Sequence, residues 1–318
     1  MKIKILINST LSIIISIFCC IIFINNLDYN FTIYEVMQSI SNQWVYLLIA
    51  CILIIFSVLL RSLRWHLLFN NKNINITKYL YRAQFISYFI NNISPLRIGD
   101  LAKSYVVAKN TDNKTSYILG SIVMERFLDI VMILLLLFIL IGYYGLDYFK
   151  IDISFPFFWY ILLIIILLVL FIFFKAKIFF PIKIQDILSE VWNGFTAIKI
   201  VNLSTIIVYS FLIWSIYLLN VYLIQLIFPE INLSLFECLF ILVISSFIQM
   251  IPMGFGSIGI FHIGLQGALI QLNIDNDNSF IFVAHLYSYM IYTVIGAYYF
   301  MHEKNLTIKS LYHEIIKI

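Results

Sequence analysis

Six charged side chains stand where an apolar chain tolerates them least. Arg97, Asp100 and Lys103 follow a proline break, and Glu125, Arg126 and Asp129 lie inside the apolar run Ile118–Tyr144. An ionisable group at bilayer depth is costly unless it faces protein or water, so such groups mark a pathway or a binding site. Arg97, Asp100 and Lys103 are spaced three apart, as are Arg126 and Asp129, while Glu125 and Asp129 are four apart; each spacing makes neighbours on a helix face. Two readings stay open. In one, buried ion pairs lock the first charged segment against the Ile118–Tyr144 run. In the other, Arg97, Lys103 and Arg126 meet a phosphate while the carboxylates hold those cations in place, the planar arginine fork donating two parallel hydrogen bonds. Asn91 and Asn92 add neutral donors beside the break.

The elements that carry these residues follow from composition. Of 318 residues, 63% are hydrophobic and 11% charged, against about 25% charged in soluble domains. This is the composition of an all-α polytopic membrane protein, a single membrane domain over residues 1–318. Runs long enough to cross hydrocarbon as helices fall near 5–25, 44–60, 118–142, 156–174, 203–228 and 279–301, giving six full spans. Two more apolar stretches, 79–108 and 235–272, are broken by proline and glycine. Lys2 and Lys4 ahead of the first run, with no small-residue cleavage site after it, predict a signal anchor. Cys19, Cys20, Cys51 and Cys238 lie in apolar segments without metal-like spacing and read as small hydrophobes.

Basic residues flanking these runs sort almost completely to one side: Lys2 and Lys4, the Arg61–Arg82 group, Lys103–Lys114, Lys175–Lys199, and Lys304, Lys309 and Lys317, with Lys150 alone left on the other. The positive-inside rule makes that side cytoplasmic and places both termini there, in a multi-pass protein of the cell membrane. For the signs to agree, 79–108 enters and leaves from inside and 235–272 from outside, so each is a re-entrant or broken helical hairpin. The order then forms an inverted-topology repeat, with halves 1–145 and 155–303. Ser87, Phe89, Ile90, Ile93, Pro95 and Gly99 recur as Ser245, Phe247, Ile248, Ile251, Pro252 and Gly256, with Ser94 as an insertion.

Irregular backbone at depth is tolerated only where it is buried in protein or lines a wet cavity, and a half-helix N-terminus offers N–H groups to an anion. Gly254, Gly256 and Gly259 leave such groups approachable, ahead of a short helix that carries His262. Gly264 and Gly267 read as a close-packing face. Arg61, Arg64 and Trp65 close the second span and read as interfacial anchors that snorkel, with attraction of anionic headgroups as the other reading. Residues Ile182–Ile200, with Lys175, Lys177 and Lys183 ahead of or within them, fit a short surface helix on the cytoplasmic leaflet.

Three motifs in order, Pro95-x-Arg97-x-Gly99-Asp100-x-x-Lys103, Glu125-Arg126-x-x-Asp129 and the Pro252–Gly259 glycine run, resemble the membrane domain of the lysylphosphatidylglycerol synthases and its stand-alone flippase-like relatives. The resemblance spans essentially the whole chain. In that family the first motif usually reads Pro-x-Arg-x-Gly-Glu-x-x-Arg, so Asp100 and Lys103 are conservative departures. His262 stands where the family carries an acid, which points to a different headgroup or a titratable switch.

The resemblance implies movement of a phosphate-bearing lipid, phospholipid or polyprenyl-linked, between leaflets, with Asn91, Asn92, Arg97, Asp100, Lys103, Glu125, Arg126, Asp129, Gly254, Gly256, Gly259 and His262 on its path. The soluble aminoacyl-transfer domain of the synthases is not in this sequence, so a carrier is expected ahead of an enzyme, working with membrane lipids and with a separate lipid-modifying or glycosyl transferase. The alternatives are a membrane-embedded enzyme acting on lipid phosphates through Glu125, Asp129 or His262, and a non-transporting partner subunit of such a transferase. No cofactor or metal is called for, and the basic excess belongs to loops beside spans rather than to a nucleic-acid surface.

Overall fold

The computed structural model describes residues 33–69, 75–94, 98–111, 113–145, 182–197, 202–250, 256–274 and 278–303. The expected runs near 5–25 and 156–174, the residues Pro95, Arg97, Pro252 and Gly254, and both termini lie outside them. The described residues form helices joined by turns: α1 (Ile33–Asn42), α2 (Trp44–His66), α3 (Asn75–Ile93), α4 (Gly99–Lys109), α5 (Thr115–Tyr144), α6 (Ile182–Phe195), α7 (Leu203–Gln225), α8 (Leu235–Met250), α9 (Ile260–Gln271) and α10 (Asn278–His302).

Four of these, α2, α5, α7 and α10, are long and apolar enough to cross a membrane. Their outward faces stay apolar, with Leu48, Phe56, Phe138, Phe211 and Val294 exposed, as lipid-facing surfaces must be when every backbone group is already paired inside its helix. The arms of the two broken segments are shorter. At 1.5 Å per residue, α8 and α9 reach about 24 and 18 Å and α4 about 16 Å, less than the roughly 30 Å of hydrocarbon.

The breaks have local causes. Between α3 and α4, the Gly99 N–H donates to Asn91 Oδ1 at 2.8 Å, which satisfies one of the unpaired donors that open a helix. A β-carbon on Gly99 would run into the Ser87 carbonyl and the Asn91 amide, so only glycine lets the two arms lie this close. Between α8 and α9 the chain is left-handed at Gly256, Ser257 and Gly259, a conformation that stops a helix from continuing.

Pairs of helices meet in a regular way. The described contacts include α2 with α3, α3 with α4, α4 with α5, α3 with α10, and α2 with α5, α7 and α10; they also include α7 with α8, α8 with α9, α9 with α10, α8 with α5, and α7 with α5 and α10. Exchanging α2 with α7, α3 with α8, α4 with α9 and α5 with α10 returns the same set. The pairs α5 with α6 and α10 with α1 are related by the same exchange if α6 is taken with α1, but the contact of α1 with α2 has no counterpart between α6 and α7. The α2–α7 pair maps onto itself.

Candidate functional site

On α2, Arg61 and Arg64 are three residues apart; on α5, Glu125 and Asp129 are four apart. Two cations on one face thereby oppose two carboxylates on another. Asp129 receives Arg61 Nη2 and Arg64 Nη2, each at 2.7 Å. Glu125 receives Arg61 Nη2 at 2.9 Å, Lys103 Nζ at 2.5 Å and Gln84 Nε2 at 3.0 Å. The two Nη1 nitrogens reach α7, where Arg64 Nη1 donates to Ser210 Oγ at 3.0 Å and Arg61 Nη1 to Tyr217 Oη at 3.2 Å. The Lys103 ammonium lies 4.0 Å from the centre of the Trp65 ring, and Trp65 Nε1 donates to Ser121 Oγ at 2.9 Å. Five helices, α2, α3, α4, α5 and α7, are joined by this one buried network.

These contacts correct the reading of Arg61, Arg64 and Trp65 as interfacial anchors. Arg64 and Trp65 are 0% exposed and Arg61 is 6% exposed. Snorkelling serves a cation that faces lipid, whereas these face carboxylates on α5 and are paired at depth.

Arg126 is one residue on from Glu125 and so points about 100° away around the helix. Its Nη2 donates to Asp100 Oδ1 at 3.0 Å, and both side chains are partly open, 42% and 35% exposed. They open into a cavity of about 620 Å³ bounded by α2–α5 and α7–α10. Arg61, Tyr88, Asn91, Asn92, Asp100, Arg126, Asp129 and Tyr217 gather on part of its wall, while Ile54, Ile133, Ile224, Leu265 and Phe280 form the apolar part. Tyr88 and Tyr292, both on the wall, stack with centroids 4.3 Å apart.

The two breaks meet at this cavity. The Gly256 N–H donates to the Asn91 carbonyl at 3.4 Å, and Asn92 Nδ2 donates to Thr293 Oγ1 on α10 at 2.8 Å. His285 Nε2 lies 3.0 Å from the Gly256 carbonyl.

Of the residues singled out from sequence, Asn91, Asn92, Asp100, Arg126, Asp129 and Gly256 line the cavity. Lys103 and Glu125 stand behind it, each 1% exposed. Gly259 and His262 are off the wall, the Gly259 N–H donating to His262 Nδ1 at 3.3 Å where α9 begins. Arg97 and Gly254 lie outside the described residues. Sequence reasoning passed over Tyr88, Trp214, Tyr217, Asn220 and His285. Asn220 carried a usable signal, a carboxamide within the apolar run of α7.

Residues 9–296 match the sequence model described as the lysylphosphatidylglycerol synthase TM region. A UPF0104 membrane protein of Methanocaldococcus jannaschii is 31% identical over 232 residues, covering 69% of this chain and 96% of that protein. No solved structure matches the chain.

Proposed function

The chain belongs to the family of the lysylphosphatidylglycerol synthase membrane region, and we propose that it carries the head of a phosphate-bearing lipid between leaflets through the cavity at which its two helix breaks meet. The observation that carries this reading is a single void of about 620 Å³ with Arg61, Arg126, Asp100 and Asp129 on its wall. Among the described residues of the charged cluster, the cations Arg61, Arg64, Lys103 and Arg126 exceed the carboxylates Asp100, Glu125 and Asp129 by one. A surplus positive charge beside a cavity attracts an anion of one negative charge, which is the charge of a phosphodiester. Arg126 is the group best placed to take it, because its guanidinium is half-open and held by one carboxylate only.

The inverted-topology repeat belongs to the same proposal. Support comes from the exchange that maps helix contacts of one half onto the other and from the charge pattern that sends the two hairpins in from opposite sides. Two breaks entering from opposite leaflets and touching at Asn91 and Gly256 form a site that rocking of one half against the other exposes to each side in turn.

The test is translocation of a headgroup-labelled phospholipid in proteoliposomes. The Arg126→Ala protein is expected to move the lipid about tenfold or more slowly than wild type, the scale of one lost charge-assisted hydrogen-bonding pair. The Arg126–Asp100 pair is too open for its loss to unfold the protein. Undiminished translocation by a folded Arg126→Ala protein would sink the proposal.

A further inference from the structure

Two corresponding seams border the cavity, and they are built differently. Along the first, α3 packs on α10: Tyr88 stacks on Tyr292 with centroids 4.3 Å apart, Phe85 lies 6.3 Å from Tyr292 and 6.1 Å from Tyr299, and Phe89 lies 5.5 Å from Phe300. Asn92 Nδ2 donates to Thr293 Oγ1 at 2.8 Å. A β-carbon on Gly296 would strike the Phe85 carbonyl, so the two backbones touch there with no side chain between them. Rings against rings and backbone against backbone make this a shut seam.

The second seam is formed by α8 in place of α3 and α5 in place of α10. By the sequence match of the two breaks, Tyr88, Asn91 and Asn92 correspond to Ser246, Gln249 and Met250. A serine and a methionine therefore stand where Tyr88 and Asn92 make the closing contacts of the first seam. Ser246, Gln249 and Met250 line the cavity opposite Arg126, Asp129 and Ile133 of α5. The rim here is open: Met250 is 43% exposed, Gln249 is exposed, and the Arg126 and Asp100 side chains are 42% and 35% exposed. A wall residue that is also exposed marks where a cavity meets its surroundings. Beside this mouth α5 and α8 present the exposed apolar side chains Ile130 and Phe247, so it faces the bilayer sideways. The two helices meet again at the last turn of α5 and the first of α8, where Tyr143 stacks on Phe236 at 3.7 Å.

We propose that the lipid head enters the cavity sideways between α5 and α8, its acyl chains staying in the bilayer, and leaves by the corresponding seam between α3 and α10 once that seam parts. This rests on the reading of the cavity as a phosphate-lipid site and adds the route. The structure holds one end state, with α5–α8 open and α3–α10 shut; the other end state exchanges them, as an inverted repeat allows. With α8 entering from outside and α3 from inside, the open mouth serves the outer leaflet and the shut seam the inner one. Arg126, on the rim, is the first cation that the phosphate meets.

The test locks each seam covalently in a protein whose Cys19, Cys20, Cys51 and Cys238 are replaced by alanine. Phe89→Cys with Phe300→Cys, neither on the cavity wall, is bridged by a short, reducible, thiol-specific linker. Translocation of headgroup-labelled phospholipid in proteoliposomes is followed before bridging, after it, and after reduction. Bridging is expected to lower translocation to the level of protein-free vesicles and reduction to restore it, because the lock removes one of the two states that the route requires. Tyr81→Cys with Tyr299→Cys, whose native rings lie 6.2 Å apart on the same seam, repeats the measurement. Bridging Ile133→Cys to Ser246→Cys across the open mouth is expected to stop translocation as well. Since the bridge is the only change between readings, a folding defect does not mimic the result. Undiminished translocation with the α3–α10 seam bridged overturns the two-seam route and leaves the phosphate reading standing. No translocation by the wild-type protein overturns both.

Discussion

Asn91 ties both helix breaks together with two different groups: its side-chain Oδ1 accepts the Gly99 N–H of its own hairpin at 2.8 Å, and its backbone carbonyl accepts the Gly256 N–H of the other at 3.4 Å. One residue thus fixes where the short helix α4 starts and where the second hairpin touches the first. Irregular backbone needs such partners at depth, since lipid supplies none.

Gly256 is the more sensitive side of that contact. Its φ of 54° is left-handed, and an added β-carbon would meet the Tyr289 ring and come within 3.2 Å of Asn92 Oδ1. Gly256→Val is expected to destabilise the protein by on the order of 2 kcal/mol, from the backbone conformation and the contact together. Thermal unfolding in detergent reads this as a lower Tm, with Gly256→Ala falling between. Equal Tm for valine and glycine would show that the break does not depend on this conformation.

The Lys103–Glu125 pair, with both side chains 1% exposed, behaves differently from a surface salt bridge. Glu125→Gln leaves the Lys103 ammonium buried without its carboxylate and takes a charge-assisted bond from Arg61. The expected loss is on the order of 3–5 kcal/mol, because a buried charge without its partner keeps its desolvation cost. Lys103→Met combined with Glu125→Gln is expected to lose less than the sum of the two single changes. Strict additivity in a double-mutant cycle would mean that the pair is not coupled.

How far the site was legible in sequence depends on what each residue needed from its neighbours. Charges at depth announced Asp100, Lys103, Glu125, Arg126 and Asp129 by cost alone; the first four form the two ion pairs that join α4 to α5, and Asp129 pairs with Arg61 and Arg64 on α2. Arg61 and Arg64 defeated the same logic. Position at the end of a span says interface, whereas the face they present is decided by where α5 and α7 pack, which helical spacing within α2 does not contain. Of the fold, the four long apolar helices and both breaks could be read from apolar run length and from proline and glycine. That Asn91 of one break would meet Gly256 of the other could not, since nothing local to either segment encodes a contact 165 residues apart.

Arg61 separates fork geometry from bare charge. One nitrogen, Nη2, serves both Glu125 and Asp129 while Nη1 reaches Tyr217. A lysine keeps the positive charge but offers one compact ammonium on a flexible stem, unable to span the carboxylates and the tyrosine together. Arg61→Lys is expected to slow lipid translocation in proteoliposomes by about tenfold, the scale of one or two lost charge-assisted hydrogen bonds. Its Tm should fall less than that of Arg61→Ala, which removes the charge as well. Full translocation in Arg61→Lys would show that charge alone suffices at this position.

The short helix α6 is held by shape rather than by its charges. Gly120 on α5 and Gly194 on α6 face one another reciprocally: a β-carbon on Gly120 would strike the Val191 carbonyl, and one on Gly194 would strike the Tyr117 carbonyl. Two backbones this close gain dispersion contacts along the crossing and leave no room for a side chain. Beside them, Lys114 Nζ and Glu190 Oε1 form an ion pair at 2.7 Å, but the Lys114 side chain is 71% exposed, and such pairs add little. Gly194→Val is therefore expected to lift α6 off α5, and limited proteolysis should then cut within or beside residues 182–195 faster than in wild type. Lys114→Ala should leave the cleavage rate unchanged. The opposite ranking, with Lys114→Ala the more easily cut, would assign the attachment to the ion pair and remove the glycine crossing from the account.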